Sequence, residues 1–442
     1  MKKNKAIILS VVIACFALTS CSTTENNIDV DKIIMPSEAS ASIGVVENKE
    51  SNENNKEEVF DFVVWNNAAG NQYIENVVSE KYPKANLKIV NYDASDSEKV
   101  IRALAANEPI DLIIYLREGF GNFNSIEGFD DLLQSEYDFN SIKSIFNERE
   151  LEHCKSFDDS KLLALPFPEF PVVTYYRADI LEKYGFPTDP EELGEYMSTL
   201  EGWMRIAKEL QKHGIYAIQW NEELFQRALR SYAFYDDSMN LIVNNEKVRE
   251  SLKLTIQVHK QGLASKVNVW GPDGQKVLKD NKIAMMYINK WGEPHLKGIV
   301  PEQAGKWRAT RLPLNIYGHQ SSYYASIAST SKHKKEAWDI LKMYMINDYK
   351  SITSQMNKKS EYFGGQKSML LYDELINKIP LRYPTMLDDR DFSIFMDTLY
   401  NNMDNKGPDE IFNLAVSKIN ESTYHEHKVL TEYLKENRKT KK

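Results

Sequence analysis

Cysteine is nearly missing from this chain of 442 residues, which has only Cys15, Cys21 and Cys154. Two of the three fall in the first twenty-one positions and Cys154 stands alone, so a disulfide framework is excluded. Such a chain has to be held by a large apolar core, and it is long enough to build one. Excess positive charge is missing too. The formal net charge is −9, and no basic stripe interleaved with aromatics precedes the terminal "KENRKTKK". That balance argues against nucleic acid as a partner and makes the tail a solvated one. The sequence also holds no His-Glu-x-x-His, no Gly-x-Ser-x-Gly, no Walker loop and no Gly-x-Gly-x-x-Gly. The apolar segment Ala6 to Leu18 is too short to span a bilayer with confidence.

What is present at the start is an export pattern. Lys2, Lys3 and Lys5 form a basic head before Ala6 to Leu18. Leu18-Thr19-Ser20-Cys21 resembles the lipobox of bacterial lipoproteins. That resemblance implies a signal peptide over 1–20 and Cys21 as the lipidated first residue of the mature chain. The plainer reading is a secretory signal that happens to contain a cysteine. From 21 to 58 the chain is rich in Ser, Asn, Glu and Lys without any period. Such a segment cannot offset its ordering entropy by burial, so it is expected to be a loose tether. The expected location is extracytoplasmic, anchored to the cell membrane through Cys21.

Folded structure is expected from Val59 onward. "VFDFVVW" has strand composition, and "NQYIENVVSEKY" places Ile74, Val77, Val78 and Tyr82 on one helical face before Pro83. "NLKIV" is a second strand. "SDSEKVIRALAANE" opens with the capping box Ser95-x-x-Glu98 and carries Val100, Ile101 and Leu104 at helical spacing. Ile110 to Tyr115 is a continuous apolar run of the kind buried on both faces of a parallel sheet. The order β-α-β-α-β predicts an α/β unit. A second such unit follows: strand at Val172–Tyr176, helix at Ala178–Tyr184, helix in "GWMRIAKELQKHG" and strand at Ile215–Trp220. Between the two lie Pro166, Pro168 and Pro171. Proline fixes φ and removes a donor, which suits a defined connector between lobes.

The order of these segments resembles the substrate-binding lipoproteins of ABC importers, the family that includes the maltose-binding protein. The resemblance rests on "VVW" ending the first strand, "EPIDLIIYLREGFG", the crossing "ALPFPEFPVVTYYRADILEKYGFP", "VLKDNKIAMMYINKW" and "TRLPLNIYGHQSSYYASIASTSKHKKEAWDILKMYM". It covers nearly all of Phe60 to the C-terminus. It implies a two-lobed periplasmic-binding-protein-like fold, each lobe a mostly parallel sheet flanked by helices, with the ligand cleft between them. The first lobe is then expected at 59–168 and 317–365, the second at 169–316 and 366–442. Crossings near Pro166–Pro171 and Pro313–Tyr317 are expected to form a hinge. The resemblance further implies a small-molecule ligand, expected to be a sugar, and permease subunits as membrane partners. No cofactor or metal is expected, and the protein is expected to be a monomer.

Clefts of this kind lie beyond the carboxyl ends of strands, where Trp65, Tyr115, Trp220 and Trp291 stand. Each alone is as well explained as core or rim; together they suit the C–H faces of sugar rings. By the resemblance, Trp65, Tyr115 and Trp291 match cleft positions, and Asn67 lies in the loop after the first strand. Glu118 matches an acidic contact, Glu169 and Phe170 fall beside another, and Phe395 matches an aromatic on a late helix. "NNAAGNQ" at 66–72 lacks the acidic and basic pair of maltose binders, which speaks against maltose itself. "NKW" replaces Gly-x-Trp and adds Lys290 to the cleft. Trp291 is the sharpest candidate, because the chain turns at Gly292 and Pro294 directly after an alternating strand.

Three rivals are weaker. A glycosidase needs only two carboxylates, yet "LDDRD" at 387–391 has the look of a solvated charged face. Tyr175-Tyr176 and Tyr323-Tyr324 could mimic ferric-ion ligands, but strand neighbours point to opposite faces, and His425 and His427 do not share a helical face. A binding protein of the same fold could carry a non-sugar solute or report to a membrane sensor.

Overall fold

The computed structural model describes residues 59–438 apart from 68–69 and 94–95. The expected signal at 1–20, lipidation at Cys21 and tether at 21–58 lie outside the described residues. Among the described residues, no helix is long and apolar enough to cross a membrane.

The first sheet grows from β1 (Asp61–Asn66), which buries every residue but its first. The helix α1 (Asn71–Lys81) turns Ile74, Val77 and Val78 inward, as its period predicts. After β2 (Asn86–Asn91), α2 (Ser97–Ala105) starts where the Asp96 side chain accepts from Lys99 N at 3.2 Å. Ser95 of the expected capping box lies outside the described residues. Val100, Ile101 and Leu104 face the core. β3 (Leu112–Leu116) and β2 both pair in parallel with β1. Two antiparallel strands complete the sheet, β4 (Leu165–Pro166) and β8 (Tyr323–Ile327), in the order β2-β1-β3-β8-β4.

The second sheet is centred on β5 (Val173–Arg177), with β6 (Met285–Ile288) and β7 (Trp307–Thr310) on either side. Both neighbours run antiparallel to β5, because each returns towards the crossing that β5 leaves. The expected parallel character is therefore confined to single bridges, Tyr216 with Ile283 and Ile218 with Ala264. Ile215–Trp220 makes no longer strand. Tyr175 and Tyr176 enter different cores, as strand alternation requires.

Helices enclose this sheet. α3 (Leu200–Lys212) is capped by Thr199 Oγ1 on Gly202 N at 3.1 Å and buries Trp203, Ile206, Ala207 and Leu210 along one stripe. α4 (Glu223–Ser231), α5 (Glu246–Gln261) and α6 (Gly292–Ile299) follow. α7 (Lys334–Gln355) returns to the first lobe, where Ala337, Trp338, Ile340, Leu341 and Met345 join its core. α8 (Asp388–Asn402), α9 (Pro408–Ser422) and α10 (Tyr424–Arg438) then pack on the second lobe through Phe395, Leu399, Phe412, Ala415 and Leu430.

Two crossings run side by side. Phe167 N donates to Tyr323 O at 2.9 Å, Val172 N to Gly318 O at 2.7 Å, and Pro171 bridges His319. The outward crossing is the proline cluster. The return lies at Gly318–Ser322, later than the expected Pro313–Tyr317. Pro313–Asn315 is instead a turn fixed within the second lobe by Leu314 N donating to Met197 O at 2.9 Å. A Cβ at 318 would stand 2.2 Å from Ser231 Oγ, so any larger residue requires that serine side chain to turn away. Tyr362 and Phe363 pack with Tyr175, Trp307 and Leu375 of the second lobe, so the expected first-lobe span overreaches at its end near 365.

Candidate functional site

The strand-end aromatics separate into core and cleft. Tyr115 is fully enclosed: the segment after β3 folds back so that Phe120 and Phe129 stack on its ring at 6.2 and 6.1 Å. Its hydroxyl shares a 2.8 Å hydrogen bond with Ser326 Oγ. Phe395 is equally enclosed, between Phe225 at 5.3 Å and Phe412 at 5.4 Å. Trp65 is buried against Tyr92, with Lys99 Nζ 5.6 Å from its ring centre. These three expected cleft residues are packing residues in this structure. Trp220 is half-buried just before α4. Asn67 turns its amide to β3, Oδ1 accepting from Leu116 N at 2.8 Å, and so ties the end of β1 to the end of β3.

Trp291 is different. It follows β6 by three residues, N-caps α6, and is 45% exposed. It lines a cavity of about 230 Å³ between the lobes. The first lobe contributes Tyr73 of α1 and Tyr344 and Asp348 of α7; the crossings contribute Phe170 and Gln320. Tyr73 and Tyr344 lie together at 4.4 Å and form a second aromatic wall. Lys290 reaches over the Phe170 ring at 4.0 Å. Burial pushes its ammonium below the usual lysine value and pushes the Asp348 carboxyl above the usual carboxylate value. Phe170 and Trp291 are thus the expected residues that the structure brings together here. Tyr73, Tyr344 and Asp348 had no sequence signal beyond their helical faces.

Behind the crossings lies a buried charge network. Arg117 donates to Glu169 Oε2 at 2.6 Å, with both side chains almost fully enclosed. The same guanidinium meets His153 Nδ1 at 2.8 Å, while His153 Nε2 accepts from Arg382 N at 3.0 Å. Arg382 pairs with Asp388, whose Oδ1 accepts from Thr385 Oγ1 at 3.0 Å. Asp391 accepts from the Tyr235 hydroxyl at 2.8 Å, and burial pushes it up to about 7. The "LDDRD" run is therefore not a solvated face at Asp388 and Asp391: Asp388 is buried against the neighbouring Arg382 and Thr385, and Asp391 against Tyr235 from a distant segment. This network also joins the lobes, since Gly121 lies so close to Thr385 that a Cβ would stand 2.2 Å from its carbonyl oxygen.

Glu118, expected as an acidic contact, stands beside this network and within electrostatic range of Arg227 on α4. Among the described residues, Glu118 Oε2, Glu223 Oε2, Arg227 Nε, His319 Nδ1, Gln320 Oε1 and Ser322 Oγ are buried without a hydrogen-bond partner. Burial pushes the Glu223 carboxyl up to about 8 and the His319 imidazole well below its usual value. Such atoms rarely go unmatched in proteins; Glu169 Oε1 and Arg382 Nε of the charge network are unmatched as well, while others, such as the Tyr92 and Thr255 hydroxyls, lie elsewhere. A larger hollow of about 940 Å³ opens at the other end of β1, around Phe60, Tyr82, Pro109 and His333. It lies at the far end of β1 from the crossings and, among the described residues, gathers no such unmatched set.

Residues 64–348, well over half of the chain, match the family model described as bacterial extracellular solute-binding protein. No curated protein matches. Among solved structures, the chain is similar to the galacto-N-biose-/lacto-N-biose I-binding protein of the ABC transporter from Bifidobacterium longum, in complex with lacto-N-biose. Identity is 16%, with 84% of this chain and 98% of that one covered at a TM-score of 0.66. It is also similar to the GacH receptor of Streptomyces glaucescens GLA.O, solved unliganded and with acarbose, at 15% identity, 82% and 98% coverage and a TM-score of 0.65. The ABC transporter associated binding protein of B. animalis subsp. lactis Bl-04, in complex with beta-1,6-galactobiose, shares 17% identity over 85% and 99% of the two chains at a TM-score of 0.60. At these identities the likeness is one of fold.

Proposed function

Since this chain belongs to the bacterial extracellular solute-binding proteins, we propose that it captures an oligosaccharide between its lobes and delivers it to a membrane permease. The observation that carries the choice of sugar is the aromatic interlobe cavity, with Trp291 exposed on one wall and Tyr73 and Tyr344 on the other. Flat apolar rings with polar groups at their edges match the two characters of a pyranose. Of the unmatched buried atoms, Gln320 Oε1 and Ser322 Oγ belong to residues that line this cavity and are suited to sugar hydroxyls, which both donate and accept. The sugar-bound proteins of the same fold support the reading by analogy.

The side-by-side crossings at 166–171 and 318–322 act in this reading as the hinge. Closure follows only if the ligand binds the closed form better than the open one. Calorimetric titration against an oligosaccharide panel, with solution scattering on each binder, tests the proposal. Binding with a smaller radius of gyration is expected, and intact sugar should be recovered afterwards. A panel without any binder, or cleavage of the bound sugar, would count against it. Anchoring through Cys21 belongs to the same reading. Cys21→Ser should release the protein from the detergent phase or stall its processing, and unchanged partition would reject the anchor.

A further inference from the structure

Lys290 sets the chemistry of the interlobe cavity. Among its described lining residues, only Lys290 and Asp348 carry charge. The ammonium lies 4.0 Å from the Phe170 ring centre and 5.6 Å from that of Trp291. Among the described residues it makes no ion pair and no hydrogen bond, only these ring contacts. Asp348 attracts it from across the cavity, beyond ion-pair distance, and comes from the opposite lobe. A lysine withdrawn from water in this way has three donors and no acceptor. A neutral sugar could supply hydroxyl oxygens, but a carboxylate could also make the close charged contact that Asp348, beyond ion-pair distance, does not make with this ammonium.

We infer that the ligand is an acidic carbohydrate, a uronic-acid oligosaccharide whose carboxylate sits on Lys290 Nζ. This inference rests on the reading of the cavity as the sugar site. The arrangement is self-consistent. The uronate ring stacks on Trp291, and its hydroxyls donate to Asp348, which is the role left for a carboxylate near an anionic ligand. Asp348 therefore acts as a selectivity filter as well as an acceptor: it weakens a misplaced carboxylate and rewards a hydroxyl.

Uronate disaccharides of the gluco, galacto and manno series are titrated calorimetrically beside their neutral counterparts. At least one acidic disaccharide should bind roughly tenfold or more tightly than its neutral partner. Lys290→Gln should erase that preference, lowering acidic binding by more than neutral binding, while Lys290→Arg should keep it. Asp348→Asn should tighten the acidic ligand and loosen the neutral one, and it reports on the site even if a Lys290 variant folds poorly. Neutral disaccharides bound as well as or better than acidic ones would overturn the inference while leaving the sugar reading intact. An acidic preference that survives Lys290→Gln would overturn the assignment to Lys290. Failure of every carbohydrate to bind would remove the sugar reading itself.

Discussion

Two charged settings meet at the crossings, and they are built in opposite ways. Behind the crossings, Arg117, Glu169, His153, Arg382 and Asp388 form a chain in which each charge has a partner. In the cavity, Lys290 and Asp348 face each other without closing an ion pair, and Trp291 stands exposed beside them. Burying a charge is costly, and a close partner with satisfied hydrogen bonds is what makes it tolerable. The paired set therefore reads as the element that ties the lobes together beside the crossings, and the unpaired set as the surface that a ligand completes. Both are polar and both are enclosed, so burial alone does not distinguish them. Partner geometry does.

The strongest way to break this contrast is to remove Arg117. Arg117→Met would strand Glu169, whose carboxyl burial already pushes upward while Arg117 holds it down. Loss of one member of a buried pair typically costs about 3–5 kcal/mol, so denaturant unfolding should show a fall of that size. A loss below about 1 kcal/mol would mean that the network holds nothing. Phe395→Ala comes next. Its ring is enclosed between Phe225 and Phe412, and truncation should cost roughly 3–5 kcal/mol while ligand affinity stays intact. Affinity lost with stability preserved would return Phe395 to the cleft.

A smaller effect should appear with pH. Glu223 and Glu150 are pushed up to about 8 by burial, from an ordinary 4.5. The folded chain keeps these protons where the unfolded chain has lost them, so their contribution to stability falls as pH rises from about 4.5 through about 8. His153 and His319 work in the other direction. Burial and neighbouring arginines hold both well below 6.5, so their contribution is lost as pH falls beneath that value. Glu223→Gln should therefore flatten the decline between about pH 4.5 and pH 8. Denaturant midpoints measured from pH 5 to 9 check this, and an unaltered slope up to pH 8 would show that Glu223 is ionised in the fold.

Much of this architecture is legible from local pattern. The periods of α1 and α2 place Ile74, Val77, Val100 and Leu104 correctly, because a single helical stripe decides which residues turn inward. Pro166 to Pro171 mark the outward crossing, since proline's fixed φ is a local property. Trp291 is legible because the chain turns directly after it. Tyr115 is not, although it ends a strand in the same way. What distinguishes it is the segment 117–129 folding back to supply Phe120 and Phe129, and no local spacing announces that return. Asp391 fails for the same reason, since its partner Tyr235 lies 156 positions away; Asp388 is held by the nearby Arg382 and Thr385, and what local spacing does not announce is that this turn is buried. The cavity's first-lobe wall needs α1 and α7 side by side, residues more than 270 positions apart in the case of Tyr73 and Tyr344. The antiparallel second sheet likewise depends on where β6 and β7 return, which composition does not encode.

The most direct test of the cavity as the binding site is Trp291→Ala. The variant would be titrated calorimetrically with the best-bound oligosaccharide and melted without ligand. Truncating one aromatic anchor at a binding site typically costs about 2–4 kcal/mol, so affinity should fall roughly 30-fold or more. Melting should move little, because the side chain is already 45% exposed. A large drop in melting temperature with affinity intact would show that Trp291 holds the fold and that the ligand binds elsewhere.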